Sequence, residues 1–297
     1  MRSHLARYRG ARAGSRREGR PVRRIANRGS RKLLLPLVCV LAAPPFLGPG
    51  HASAITNGTV DEANLYPAVG AYHYRRPDGT SGGPCSGFLI SSTAFVTSGH
   101  CAWRTVNAIQ AIGGHAEVTF DLTFNPNKSS FVDVSQIHIH PSFDRSLRTD
   151  VAVLVLAEAR TDVSPIELPD EGEGNQLRNG SQLTAVGYGV VQECPTAPGK
   201  CQVRWDGPDT YEGQRQYASE TLNGVTQWFL MVGLNPNAGS TGGPCHIGDA
   251  GGPHLLPGTN TAVAVTTWFG SGACWSNGAM TRVDTGPVLA FLHRFID

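Results

Sequence analysis

The chain has 297 residues, with 25 Lys or Arg against 23 Asp or Glu and a formal net charge of +2. That balance hides a division: residues 1–54 hold 12 of the basic residues and one acid, Glu18, so residues 55–297 carry a net of −9. The acidic remainder has no basic patch of the kind nucleic-acid binding needs, which excludes that class, and it is long enough to bury a large core in one β-rich domain.

In chain order, the first segment reads as a leader. Eleven arginines and Lys32 precede an apolar run, Leu33 to Leu47, interrupted by Pro36, Pro44 and Pro45. The run is too short for a comfortable membrane span. It ends in His51-Ala52-Ser53-Ala54, a small-x-small cleavage signal. Residues 1–54 are therefore expected to be a secretory signal peptide, leaving a secreted, extracellular chain 55–297 with no membrane attachment. A membrane anchor is the alternative. A start at Val22 and a twin-arginine route through Arg16-Arg17 or Arg23-Arg24 stay open. Cys39 leaves with the leader, and six cysteines remain: Cys85, Cys101, Cys194, Cys201, Cys245 and Cys274. An even count in an exported chain argues for disulfides. Nearest-neighbour pairing among the 15 possible connectivities gives 85–101, 194–201 and 245–274.

Beyond the leader, short alternating runs lie between Gly, Pro and Asn turns. They predict strands at Ala68–Tyr74, Gly87–Ile90, Ala94–Thr97, Val132–Ile139, Val151–Leu156, Leu183–Tyr188, Thr226–Val232 and Ala262–Trp268. Many short strands imply an all-β sandwich or barrel. One helix is predicted, from Thr285 to Ile296, where Val288, Leu289, Phe291, Leu292, Phe295 and Ile296 fall at helical spacing. Residues 169–180 and 194–215 read as polar surface loops. His138 and His140 share one strand face, but no cysteine or carboxylate pattern accompanies them, so a surface strand is favoured over a metal pair.

The chemistry concentrates at Gly248-Asp249-Ala250-Gly251-Gly252-Pro253. Its glycines permit backbone conformations closed to other residues. Such a turn can aim two backbone N–H groups at one point, as an oxyanion hole requires. Ala250, at its centre, has no heteroatom and cannot attack a carbonyl.

Three earlier segments precede this turn: Ile55-Thr56-Asn57-Gly58, the run from Cys85 to His100-Cys101, and Thr149-Asp150 followed by Val151-Ala-Val-Leu-Val-Leu156. Tyr66-Pro67-Ala68-Val69, His138-Ile-His-Pro-Ser-Phe-Asp144 and Val186-Gly-Tyr-Gly189 support them. Together they resemble the chymotrypsin/trypsin family of serine endopeptidases, over essentially all of residues 55–297. The resemblance implies two six-stranded antiparallel β-barrels, near 70–165 and 180–283, with a C-terminal helix packed outside. It implies His100 as general base, Asp150 as its orienter and Ala250 in place of the nucleophilic serine. Gly248 and Ala250 would supply the oxyanion hole. An amine freed at Ile55 by cleavage after Ala54 would insert beside Asp249.

Pro244, Phe269, Gly270 and Gly278 would line an uncharged, open specificity pocket suited to an apolar or aromatic side chain; aligning on Trp268 instead would put Phe269 at the entrance. No cofactor and no metal are implied, the chain is expected to be a monomer, and the implied partner is a peptide or protein. The two functional alternatives are a silenced endopeptidase and a protein that holds partners in the retained cleft. Retention of the leader favours Ala250 as a natural substitution over a deliberate knockout or a sequence error.

Overall fold

The computed structural model describes residues 55, 58–189, 192–193, 202–203, 213–233, 243–244, 248–269 and 277–296. In chain order the elements are β1 (Thr59–Val60), β2 (Val69–Arg75), β3 (Cys85–Leu89), β4 (Ala94–Thr97), α1 (Gly99–Ile112), β5 (His115–Thr119), β6 (Thr123–Phe124), β7 (Val132–Ile139) and β8 (Ala152–Leu156). There follow β9 (Gln182–Gly187), β10 (Gln192–Glu193), β11 (Gln202–Val203), β12 (Gly213–Gln214), β13 (Gln216–Val225), β14 (Phe229–Gly233), β15 (Pro253–Leu255), β16 (Ala262–Phe269), β17 (Asn277–Arg282) and α2 (Gly286–Leu292).

Two closed six-stranded antiparallel barrels result, as the resemblance implies. The first runs β2-β3-β4-β8-β7-β5, and β5 closes onto β2. The second runs β13-β14-β17-β16-β15-β9, and β9 closes onto β13 from Gln216↔Gly187 to Thr221↔Gln182. Closure removes the unpaired edges that an open sheet would expose. Strand β1 adds to β13, and β6 pairs with β12.

The first barrel is filled with apolar side chains. Phe88, Phe95, Val96, Val118, Val153 and Leu154 are fully buried. Each contributes roughly 1.5–3 kcal/mol of transfer free energy relative to exposure. The second barrel mixes Leu183, Leu222, Leu230 and Met280 with buried polar side chains, including Glu220, His254 and Thr266. Helix α2 follows the second barrel in sequence but seats on the first. His140 Nε2 donates to Pro287 O at 3.3 Å, and its ring lies 5.1 Å from that of Phe291. Ser91 Oγ, from the β3–β4 turn, donates to Phe295 O at 3.0 Å.

Several expectations are corrected. The segment 194–215 does not end as a surface loop, for Arg215 is fully buried. Its guanidinium donates to Asp61 Oδ2 at 2.9 Å and to Val69 O at 3.1 Å, and these partners compensate the desolvated charge. His140 is buried rather than on a surface strand, because α2 covers it. Helix α1 and strands β5, β13, β15 and β17 are absent from the sequence prediction. In β13 the buried positions Gln216, Ala218 and Glu220 alternate with partly exposed Tyr217 and Ser219, so a polar inward face hides the strand period.

Candidate active site

His100 is the second residue of α1, and Asp150 lies just before β8. Asp150 is fully buried and does two jobs. Its Oδ1 accepts the backbone N–H of His100 at 2.6 Å, and its Oδ2 accepts Nδ1–H of the same residue at 2.7 Å. One carboxylate thus satisfies an orphan donor at the start of the helix and aims the ring that helix carries. Ser98, the residue before the helix, makes no side-chain cap, so the capping comes from Asp150 instead. With the proton on Nδ1, the lone pair sits on Nε2, and the side chain is 19% exposed. Cys101 is joined to Cys85 by a disulfide with Cα atoms 6.6 Å apart, as nearest-neighbour pairing gives. Cys194, Cys201, Cys245 and Cys274 lie outside the described residues.

The glycine turn is held from the first barrel. Ser86 N donates to Ala250 O at 2.9 Å, and Ser86 Oγ donates to Gly248 O at 2.7 Å. Thr97 Oγ1 in turn donates to Ser86 O at 2.7 Å. Since Ser86 adjoins Cys85 and Cys101 adjoins His100, a short chain of bonds runs from the turn to the imidazole. Ser86 was not singled out from sequence; its only signal is its place beside Cys85.

Gly248 and Gly251 both have φ of 92°, a region L side chains rarely enter. The N–H groups of Gly251 and Gly252 bond Thr266 O and Asp249 O. Among the described residues, those of Gly248 and Ala250 donate to no protein acceptor. Asp249 is buried and accepts Gly189 N–H at 2.7 Å. Ile55 is fully buried too, and its nitrogen, a peptide N–H in the continuous chain, donates to Gln216 Oε1 at 3.1 Å.

His100, Gly248 and Ala250 line one cleft of about 680 Å³. Its other walls include Tyr72, Tyr74, Trp103, Phe143 and Trp268, together with Cys85 and Cys101. Trp268 is 48% exposed and stands at the end of β16. Pro244 and Gly278 are buried, and the Phe269 backbone pairs with Gly278. Gly270 lies outside the described residues. Sequence reasoning missed the contribution of α1 to this wall, because the helix buries only Gly99, Cys101, Ala102 and Thr105 and so carries little apolar periodicity.

Among the described residues one other cluster has metal-ligand chemistry. His115 Nε2 lies 3.3 Å from Glu117 Oε2 and 3.6 Å from Asp133 Oδ1, on the outside of the first barrel. Glu117 is already engaged by Arg75 and by His73 Nε2 at 2.7 Å. Burial would raise its pKa, but hydrogen bonds from His73 and Arg75 overcome this and hold it down at about 2. Neither His138 nor His140 belongs to this cluster. His138 Nε2 pairs with Gln136 Oε1 at 2.9 Å.

Among the described residues no helix is long and apolar enough to cross a membrane. A family profile described as Trypsin matches residues 55–286. Melanization protease 1 of Drosophila melanogaster is 22% identical over 82% of this chain and 66% of that protein. Trypsin 5G1 of Aedes aegypti is 26% identical over 67% of this chain and 71% of its own length. Among solved structures, HL collagenase aligns with a TM-score of 0.60 at 19% identity, covering 81% of this chain and 98% of that one. A scabies mite inactivated protease paralogue aligns at 0.57 and 17%, covering 80% and 97%. At these identities the structural matches speak for the fold.

Proposed function

The chain belongs to the trypsin family, and on that premise we propose that it is a secreted serine-protease homologue silenced at its nucleophile, with the base, its orienter and the cleft retained. The observation that carries this reading is the pairing of an intact His100–Asp150 couple with Ala250 in the same cleft. Asp150 fixes the tautomer that leaves Nε2 able to take a proton. Ala250 offers no oxygen to give one. The N–H groups of Gly248 and Ala250, unclaimed among the described residues, suit an oxyanion hole. Export would remove residues 1–54, and the new amine of Ile55 would turn to Asp249. A monomer that holds peptide or protein in the cleft without cutting it is the activity this reading implies.

Ala250→Ser tests it. The new hydroxyl would attack the scissile carbonyl while its proton passes to His100 Nε2 and then to the leaving amine. In Ser–His–Asp hydrolases, loss of the serine costs about a million-fold in turnover, so several orders of magnitude are expected to return. The preferred residue before the scissile bond should be large and apolar. A serine-directed fluorophosphonate should label the variant and not the parent. Labelling of both would mean that another nucleophile serves the site. Labelling of neither, in folded protein, would mean the cleft has diverged beyond residue 250 and would leave only partner binding.

A further inference from the structure

Charge is distributed unevenly over this molecule. Residues 55–297 carry a net of −9. Yet the cleft beside His100 is lined by Arg104 and Arg145 and, among the described residues, by no Asp or Glu. Neither arginine forms an ion pair among the described residues. The nearest acid in sequence, Asp144, accepts the N–H of Ser146 in its own loop at 2.9 Å and is not part of the cleft wall.

Arg145 is built into its place. The loop between β7 and β8 puts Arg145 at φ 67° and Leu147 at φ 65°, left-handed conformations that cost free energy in residues with a side chain. Such strain persists only where the surroundings impose it. Here Thr281 Oγ1 of the second barrel donates to Leu147 O at 3.0 Å and pins the loop. The Arg145 guanidinium then sits 5.0 Å from the centroid of the Trp103 ring. Trp103 lies three residues beyond His100 on α1, hence on a neighbouring part of the same face. The guanidinium over that ring lines the same cleft as the His100 imidazole, and it presents a planar, weakly hydrated fork of N–H donors. That fork matches a carboxylate, which it can engage through two parallel hydrogen bonds.

We propose that the cleft selects peptide segments bearing an acidic side chain where the peptide passes the Trp103–Arg145 stack. The carboxylate pairs with Arg145, and Arg104 strengthens the local field. This rests on reading the cleft as a peptide-holding site and names the class of peptide it holds.

The test uses protein exported from the full-length chain with Ala250 intact, so that peptides bind without turnover. Fluorescent hexapeptides, scanned with Glu, Gln or Lys at each position, are titrated by anisotropy. At one position Glu is expected to bind about tenfold tighter than Gln, with Lys weakest, and the preference should shrink as salt rises. Arg145→Glu should reverse that order to Lys above Glu, a gain that misfolding does not produce. Equal binding of Glu, Gln and Lys at every position, or an order that Arg145→Glu leaves unchanged, overturns the acidic preference while peptide holding stands. Absence of all peptide binding by folded protein overturns both. A sulfated oligosaccharide that binds where no peptide does overturns the peptide as occupant.

Discussion

The two barrels share a strand plan but divide the work by different means. In the proposed site the first supplies side-chain chemistry, a His and an Asp, on a scaffold of aromatic and aliphatic packing with a covalent clamp at Cys85–Cys101. The second supplies backbone geometry, the turn at Gly248–Pro253, on a scaffold that buries Glu220, His254 and Thr266. Side-chain functions need an orienting partner, and Asp150 is one. A backbone function needs the chain itself held still. In the second barrel Thr266 does both parts of that, exchanging backbone hydrogen bonds with Gly251 and Gly252 while its hydroxyl meets His254 Nε2 at 2.8 Å.

The largest way to break this contrast is to remove one partner of the polar core. His254 Nδ1 pairs with Glu220 Oε1, and Glu220 Oε2 has no hydrogen-bond partner among the described residues. Cutting one member of such a buried pair typically costs ~3–5 kcal/mol. Glu220→Ala should therefore lower the denaturation midpoint of the second barrel and loosen the 248–253 turn in hydrogen exchange. The double change Glu220→Leu with His254→Leu should recover part of the loss, because both partners of the buried pair are removed together. A single variant as stable as the parent would show that the pair does not support the turn.

The covalent clamp comes next. Cys85 and Cys101 close a loop of sequence separation 16. A loop of that size is worth ~3 kcal/mol in the chain-entropy model, or roughly 6–12 °C in melting temperature for a domain of this length. Cys85→Ala with Cys101→Ala should lose that amount, and the loss of exchange protection should centre on α1 and β3. Equal loosening of the second barrel would mean that the bond from Ser86 to the glycine turn transmits it, and would weaken the division drawn here.

The same division explains what could be read from the sequence. The pairing of His100 with Asp150 and the clamp beside them follow from motifs in which residue identity is the function. Strands β4 and β8 were legible within a residue because each is a short, almost wholly buried run rich in apolar residues, and β7 because its first residues alternate between half-buried Val and exposed polar side chains. Strand β13 was hidden because its inward positions include Gln216 and Glu220. Helix α1 was hidden because it lines the cleft and buries few side chains. Ser86 acts through contacts 162 residues away, which no local pattern records. The Trp103–Arg145 stack likewise joins two segments that only the fold brings together.

The smallest effect concerns where α2 meets the first barrel. Ser142 N–H donates to His140 Nδ1 at 3.1 Å, so Nε2 carries the proton given to Pro287 O, and the ring is neutral. Burial holds its pKa below the ordinary 6.5, although the Pro287 carbonyl pulls the other way. The unfolded chain then binds more protons than the folded one as pH falls through 6.5. His140 therefore contributes stability that is present above about 6.5 and is lost progressively on acidification. His73, also lowered chiefly by burial, acts in the same direction. Glu117, held at about 2, adds its own loss only below its unfolded value of 4.5.

Between pH 7.5 and 5.5 the histidines dominate, and His140→Asn should flatten the fall of melting temperature by ~2–4 °C, equivalent to about 1 kcal/mol. Asparagine keeps an acceptor for Ser142 N–H but takes no proton. An unchanged slope would mean that His140 takes up protons equally in the folded and unfolded chain, so that its burial under α2 contributes no pH dependence.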